Sequence, residues 1–129
     1  MCGLTAGVAL GDGAKHDVEN VVRQYARAAD ARDAETMDKV LHDKFRVVAS
    51  MGGKLVALEK TDYVGSLKAG KIGGEPREVR IDTVALSGDY AFADVTLTGK
   101  ERTFRDHLVL YREASGWRIL QNAAQVGGK

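Results

Sequence analysis

Three side chains pair useful chemistry with an apolar setting: Asp106, Tyr25 and Asp94. Asp106 lies in the β-rich run from Phe104 to Tyr111. One alternate set of that run is Phe104, Asp106, Leu108 and Leu110; the other is Arg105, His107, Val109 and Tyr111. Both sets are substantially apolar, so both faces of the strand are expected to be covered. A carboxylate in the more apolar set is an exception that calls for a reason. Burial among apolar groups would raise its pKa and hold it as a neutral donor. An arginine beside it, such as Arg102 or Arg118, would instead lower the pKa and make a structural ion pair.

Asp94 enters through the register of the preceding hairpin. If Gly99-Lys100-Glu101 is a three-residue loop, Thr98 pairs with Arg102, Thr96 with Phe104 and Asp94 with Asp106. Two facing carboxyls would share a proton and suit acid–base work. A register one residue different puts Asp94 on the other face. Strict alternation along the last strand places Trp117, Ile119, Gln121, Ala123 and Gln125 on one face, with the glutamines ready for a polar ligand or lying at an open sheet edge. The expected pocket lining is Tyr25, Phe92, Asp94, Phe104, Asp106, Leu108, Trp117 and Gln121, with Asp106, Asp94 and Tyr25 as candidate proton-transfer groups. His16, His42 and His107 follow no metal-ligand spacing, and no metal or cofactor is expected. Lys71-Ile72-Gly73-Gly74 neither follows a strand nor opens a helix, so it is not a phosphate loop.

The elements that position these groups follow from periodicity. Val18, Val21, Val22, Tyr25, Ala28, Ala29 and Arg32 recur at three- and four-residue steps, predicting an amphipathic helix capped by Asp17 with Tyr25 on its buried stripe. Asp33 opens a second helix with Glu35 in its first turn and Met37, Val40 and Leu41 as its apolar face; His42 is expected to end it. Phe45–Ser50 and Lys54–Leu58 read as strands joined at Gly52-Gly53. Glu59–Ala69 reads as a helix stopped by Gly70. Four β-runs follow: Arg77–Leu86, Tyr90–Thr98, Arg102–Arg112 and Gly116–Val126. Their short links make them antiparallel neighbours. Helices early and strands late predict an α+β fold, a curved antiparallel sheet wrapped around the helices.

At 129 residues the chain is one domain, expected over residues 16–129 behind a flexible glycine-rich tail at 1–15. The formal net charge of +1 gives no electrostatic footprint for nucleic acid or an anionic membrane. Cys2 is the only cysteine, so no internal disulfide forms. No apolar run approaches a membrane span, and a cytoplasmic location is the default, with the first ten residues alternatively the stump of an export signal.

The element order resembles the cone-shaped, cystatin-like fold of the nuclear transport factor 2-like superfamily. Val21-Val22-Arg23-Gln24-Tyr25, Ala31-Arg32-Asp33 and Phe45 resemble its opening helices and first strand. Asp106-His107-Leu108 and Gly116-Trp117-Arg118-Ile119 resemble its closing hairpin. Phe-x-Asp-x-Leu-x-Leu followed by Gly-Trp-Arg-Ile is similar to the bacterial branch named for lumazine binding, with SnoaL-like and ketosteroid-isomerase-like proteins as relatives. The resemblance implies that Tyr25 and a neutral Asp106 match two oxyanion donors of the isomerase branch, whose enzyme is a standard example of a carboxylic acid kept neutral. It also puts Ala49 where that branch carries its general base, and alanine cannot abstract a proton. Fold leaves function open. The expected function is binding of a small, partly apolar molecule in the cone without catalysis. The alternatives are an isomerase, cyclase or dehydratase using Asp106 with Asp94 or Tyr25, and a self-associating structural module. A homodimer is expected through the outer sheet face, on Arg105, His107, Val109, Tyr111, Leu120, Asn122 and Ala124.

Overall fold

The computed structural model describes residues 2–128, with side chains from Gly13 to Gly128. The tail expected over residues 1–15 lies mostly outside the described side chains. Helix α1, Cys2–Ala31, runs through Asp17 without a break, so Asp17 is a mid-helix residue and not a cap. Its expected stripe is buried: Val18, Val22, Tyr25, Ala28 and Ala29, joined by Ala26. The helix ends at Arg32, whose φ of 53° lets Arg32 N–H reach the Ala29 carbonyl and Asp33 N–H reach the Ala28 carbonyl. That is a Schellman-type end built without glycine. Asp33 then caps α2, Ala34–Val40, by accepting from Thr36 N–H at 3.1 Å and from the Thr36 hydroxyl at 2.7 Å. Those bonds hold its pKa below the ordinary value.

The remaining order is β1 Leu41–Met51, β2 Lys54–Glu59, α3 Lys60–Lys68, β3 Glu78–Ser87, β4 Tyr90–Thr98, β5 Arg102–Glu113 and β6 Gly116–Gly128. This is the predicted α+β succession. His42 falls in β1, not at the end of α2, and its ring stands edge-on to Tyr111. One six-stranded sheet has the order β2-β1-β6-β5-β4-β3. Its pairs are antiparallel except β1 with β6, a parallel pair that joins the early hairpin to the later meander. The helices pack on one face of the sheet, where the main core gathers around Phe45, Met37, Leu41, Leu67, Leu108, Leu110 and Ile119.

Two local features set what the concave face presents. Leu120 has no register partner on either neighbour: Ile119 pairs with Leu110 and Gln121 with Val109, while on the other side Leu41 pairs with Ile119 and Arg46 with Gln121. The extra residue reverses the facing of everything after it. Trp117 and Ile119 point inward, and then Asn122 and Ala124 do, while Gln121, Ala123 and Gln125 are exposed. The expected single face from Trp117 to Gln125 is therefore broken at Leu120, and Asn122 and Ala124 leave the outer face assigned to them.

The second feature is the loop between α3 and β3. Gly74 N–H donates to the Ala29 carbonyl, Arg32 Nε to the Ile72 carbonyl, and Asp30 accepts from Arg77 N–H at 3.0 Å and from Arg77 Nε at 2.7 Å. Gly73 has a φ of 74° with Leu67 and the Ala29 carbonyl so close that a side chain would collide with both. The loop is thus latched to the end of α1 and overhangs the concave face.

Candidate functional site

The register stacks inward-facing residues of neighbouring strands in rows. Nearest the β1–β2 turn stand Lys54, Met51, Val126, Phe104 and Leu97; next come Val56, Ala49, Ala124, Asp106 and Val95; then Leu58, Val47, Asn122, Leu108 and Ala93. In the middle row two alanines lie beside Asp106, where larger side chains would fill the cone. The space they leave is part of a cavity of about 650 Å³. Its wall includes Tyr25 from α1, Tyr63 from α3, and Ile72, Gly73, Glu75 and Arg77 from the latched loop.

Tyr25, Asn122 and Asp106 form the buried polar part of this cavity. Asn122 Nδ2 donates to the Tyr25 hydroxyl at 2.9 Å, while Asn122 Oδ1 is buried with no hydrogen-bond partner. Tyr25 packs with Phe45 and Tyr63 in an aromatic trio, its ring stacked 6.4 Å from that of Tyr63. Burial raises the pKa of both tyrosines above the phenol range, so both are neutral donors at any ordinary pH.

Asp106 is 4% exposed. Burial pushes its carboxyl up to about 6, against the opposing pull of Arg77, the Asn122 amide and His107. Arg77 cannot act as a full counter-ion because it is committed to Asp30 and lies over the Phe104 ring at 4.7 Å. Arg118 is paired with Glu113 instead, and Arg102 lines the cavity without a salt bridge to Asp106 among the described residues. The structural ion pair weighed for Asp106 does not form.

Asp94 is not part of this site. Thr98 pairs with Thr103, so four residues, 99 to 102, lie between the last paired residues of β4 and β5, and Gly99 N–H closes the turn on the Arg102 carbonyl. The added residue shifts the register by one. Val95 faces Asp106, and Asp94 faces His107 on the outer side of the sheet. There Asp94 accepts from Thr83 at 2.6 Å and lies 2.7 Å from His107 Nδ1. The His107 bond first, then Thr83, lowers its pKa, so it is an ordinary ionised carboxylate. Phe92 shares that outer face and is 45% exposed. Gln121 is exposed by the break at Leu120, while Leu108 and Trp117 are core residues that do not line the cavity. Of the expected lining, Tyr25, Phe104 and Asp106 are brought together. Asn122, Tyr63 and Arg77 were missed. Ala49 does line the cavity, so β1 offers a methyl group there and no base. Among the described residues no three His, Cys, Asp or Glu side chains cluster as a metal site, and no helix is long and apolar enough to cross a membrane.

Comparison with known proteins bears on this arrangement. Residues 14–123 match the family model described as "Putative lumazine-binding". The chain belongs to that family. No curated protein matches it. Solved structures share the fold. A nuclear transport factor 2-like protein of unknown function from Silicibacter pomeroyi DSS-3 is 18% identical, with a TM-score of 0.77 over 87% of this chain and 94% of that one. One from Shewanella baltica OS155 is 14% identical, with a TM-score of 0.76 over 88% and 94%. A nuclear transport factor 2-like protein from Cytophaga hutchinsonii ATCC 33406 is 17% identical, with a TM-score of 0.74 over 85% of this chain and 95% of that one. The chain thus has the cone fold anticipated from its opening helices and closing hairpin.

The raised pKa of Asp106 has a consequence for stability. A carboxyl that binds its proton more tightly in the folded state stabilises the fold fully below its unfolded value of 3.8, and that contribution is lost as pH rises through about 6. Each pKa unit corresponds to about 1.4 kcal/mol. Asp106→Asn is therefore expected to be more stable than the parent by about 3 kcal/mol at pH 8, with the difference closing by about pH 4. Urea unfolding of both proteins across that range checks it. A parent that gains on the variant as pH rises would contradict it.

Proposed function

We propose that the chain binds a small, partly apolar molecule in the cone cavity, without catalysis of its own. The observation that carries this reading is the buried, unpartnered Asn122 Oδ1 beside an unpaired Asp106 in a cavity of about 650 Å³. That volume is in the range of small-molecule sites. An unsatisfied buried acceptor costs about 1–3 kcal/mol, and a ligand N–H or O–H placed against it would recover that. Val56 and Met51 line the same cavity while about half exposed, at 53% and 47%, so an apolar body would cover them. A planar heterocycle with ring N–H groups, such as the lumazine in the family's description, meets both demands.

A second reading has one observation in its favour. A carboxyl with a pKa near 6 in a cavity is suited to proton transfer, with Tyr25 as a neighbouring donor, in an isomerase, cyclase or dehydratase. Ala49 in place of a base, and Asp94 on the far side of the sheet, weigh against it.

The outer sheet face supports a homodimer as well. Tyr90 and Phe92 are exposed there beside Tyr111 and Val109, and the same face carries Arg80 and Arg105 together with Asp82 and Asp94. Apolar area bearing both charge signs can pair with a second copy of itself. Sedimentation at micromolar concentration is expected to give twice the monomer mass for the parent and the monomer mass for Phe92→Glu. A monomeric parent would reject the dimer.

For the cavity, the neutral fluorophore N-phenyl-1-naphthylamine is a suitable probe. It is expected to bind the parent and to bind Ala124→Leu at least about tenfold more weakly, since leucine fills the space beside Asp106. No binding to the parent, or equal binding to a folded Ala124→Leu, would overturn the reading.

A further inference from the structure

We propose that the cavity's ligand is an amphipathic anion, whose apolar body lies along β1, β2 and β6, whose N–H or O–H group meets Asn122 and Asp106, and whose carboxylate, sulfonate or phosphate sits at the mouth among Lys54, Lys71 and Arg102. This rests on the binding reading above and adds the charge and orientation of what is bound.

The mouth is defined by the outermost row of the cone. Lys54 pairs with Met51, Met51 with Val126 and Val126 with Phe104; Arg102 is two residues before Phe104, on the same face of β5. Lys71 and Ile72 of the latched loop line the same cavity. Five cationic side chains line the cavity: Arg32, Lys54, Lys71, Arg77 and Arg102. Two of them are occupied. Arg77 is neutralised by Asp30 at 2.7 Å, and Arg32 is held to the Ile72 carbonyl at 3.1 Å. Among the described residues, Lys54, Lys71 and Arg102 have no carboxylate within ion-pairing distance.

The acids offset them only in part. Glu75 is the one carboxylate of the lining near this end, and its Oε2 is turned to Lys100 N–H at 3.1 Å, where it fastens the β4–β5 turn. Asp106 stands one row deeper. The whole chain carries a formal charge of only +1, so the cations at the mouth are a local arrangement and not an overflow of a basic protein. A positive rim over low-dielectric walls concentrates anions at the opening. The deep end has the opposite character. Asn122 Oδ1 and the Asp106 carboxyl are acceptors, so an anionic group there would be repelled and a donor welcomed. Apolar walls between Val47, Ala49, Val56 and Leu58 join the two ends. One molecule satisfies both only if it is polar in opposite senses at its two ends.

Two probes with the same aromatic body isolate the charge: 8-anilinonaphthalene-1-sulfonate and its neutral parent N-phenyl-1-naphthylamine. In low salt the sulfonate is expected to bind at least about tenfold tighter than the neutral probe, a screened multi-cation effect. The ratio is expected to fall below about threefold in Lys54→Glu/Arg102→Glu and in half-molar salt. Both probes are expected to weaken together in Ala124→Leu, and circular dichroism melts confirm that each variant is folded. Equal affinities in the parent would overturn the proposal. So would a sulfonate advantage that survives the charge reversals, or sulfonate binding that ignores Ala124→Leu. Neither probe binding would bring down the binding reading itself, whereas neutral-probe binding without a sulfonate advantage removes the charge alone.

Discussion

Leu120 stands in β6 without a partner on either side, and the composition of the cavity follows from that one residue. Before it, Trp117 and Ile119 face inward and join the core with Leu110 and Leu108. After it, Asn122, Ala124 and Val126 face inward and Gln121 and Gln125 face out. Without the bulge two glutamines would line the wall and Asn122 would be on the outer face, out of reach of Tyr25. The parallel pairing of β1 with β6 carries the effect across the sheet, because it sets Ala49 beside Ala124 and thereby opens the space next to Asp106.

That space is kept open at some expense to stability. A well-packed core would fill it, and an isolated carboxyl with a raised pKa is held there instead, beside an amide oxygen with no partner. Arg77, the cation best placed to relieve the carboxyl, is drawn off by Asp30. The same Asp30 contact latches the loop that lines the cavity, so a single ion pair both shapes the cavity and keeps Asp106 uncompensated. Destabilising arrangements of this kind are expected where a ligand site has been maintained against packing.

Much of this was legible in the sequence. The helical stripe through Tyr25, the cap at Asp33, the succession of strands along the chain and the apolar setting of Asp106 were all read from local pattern, whereas the parallel pairing of β1 with β6 was not. What failed was parity. Four connecting residues in place of three after Thr98 moved Asp94 and Phe92 to the outer face, and turn length is weakly encoded where Gly99, Lys100, Glu101 and Arg102 are all compatible with either loop. The bulge left a fainter trace. Apolar residues occupy the Trp117–Ile119 phase and then pass to the Leu120–Ala124–Val126 phase, a slip that strict alternation overlooks. Tyr63 and Arg77 were invisible for a different reason: they reach the cavity through tertiary packing of α3 and its loop, which no local pattern reports.

Asp106 is a cavity carboxyl without a counter-ion, and its own titration measures that directly. Carbon-detected NMR of the carboxyl in the unliganded protein is predicted to give a midpoint near pH 6. A midpoint at or below the ordinary aspartate value of about 3.9 would mean that a cation or a set of donors neutralises the group, and would contradict the account.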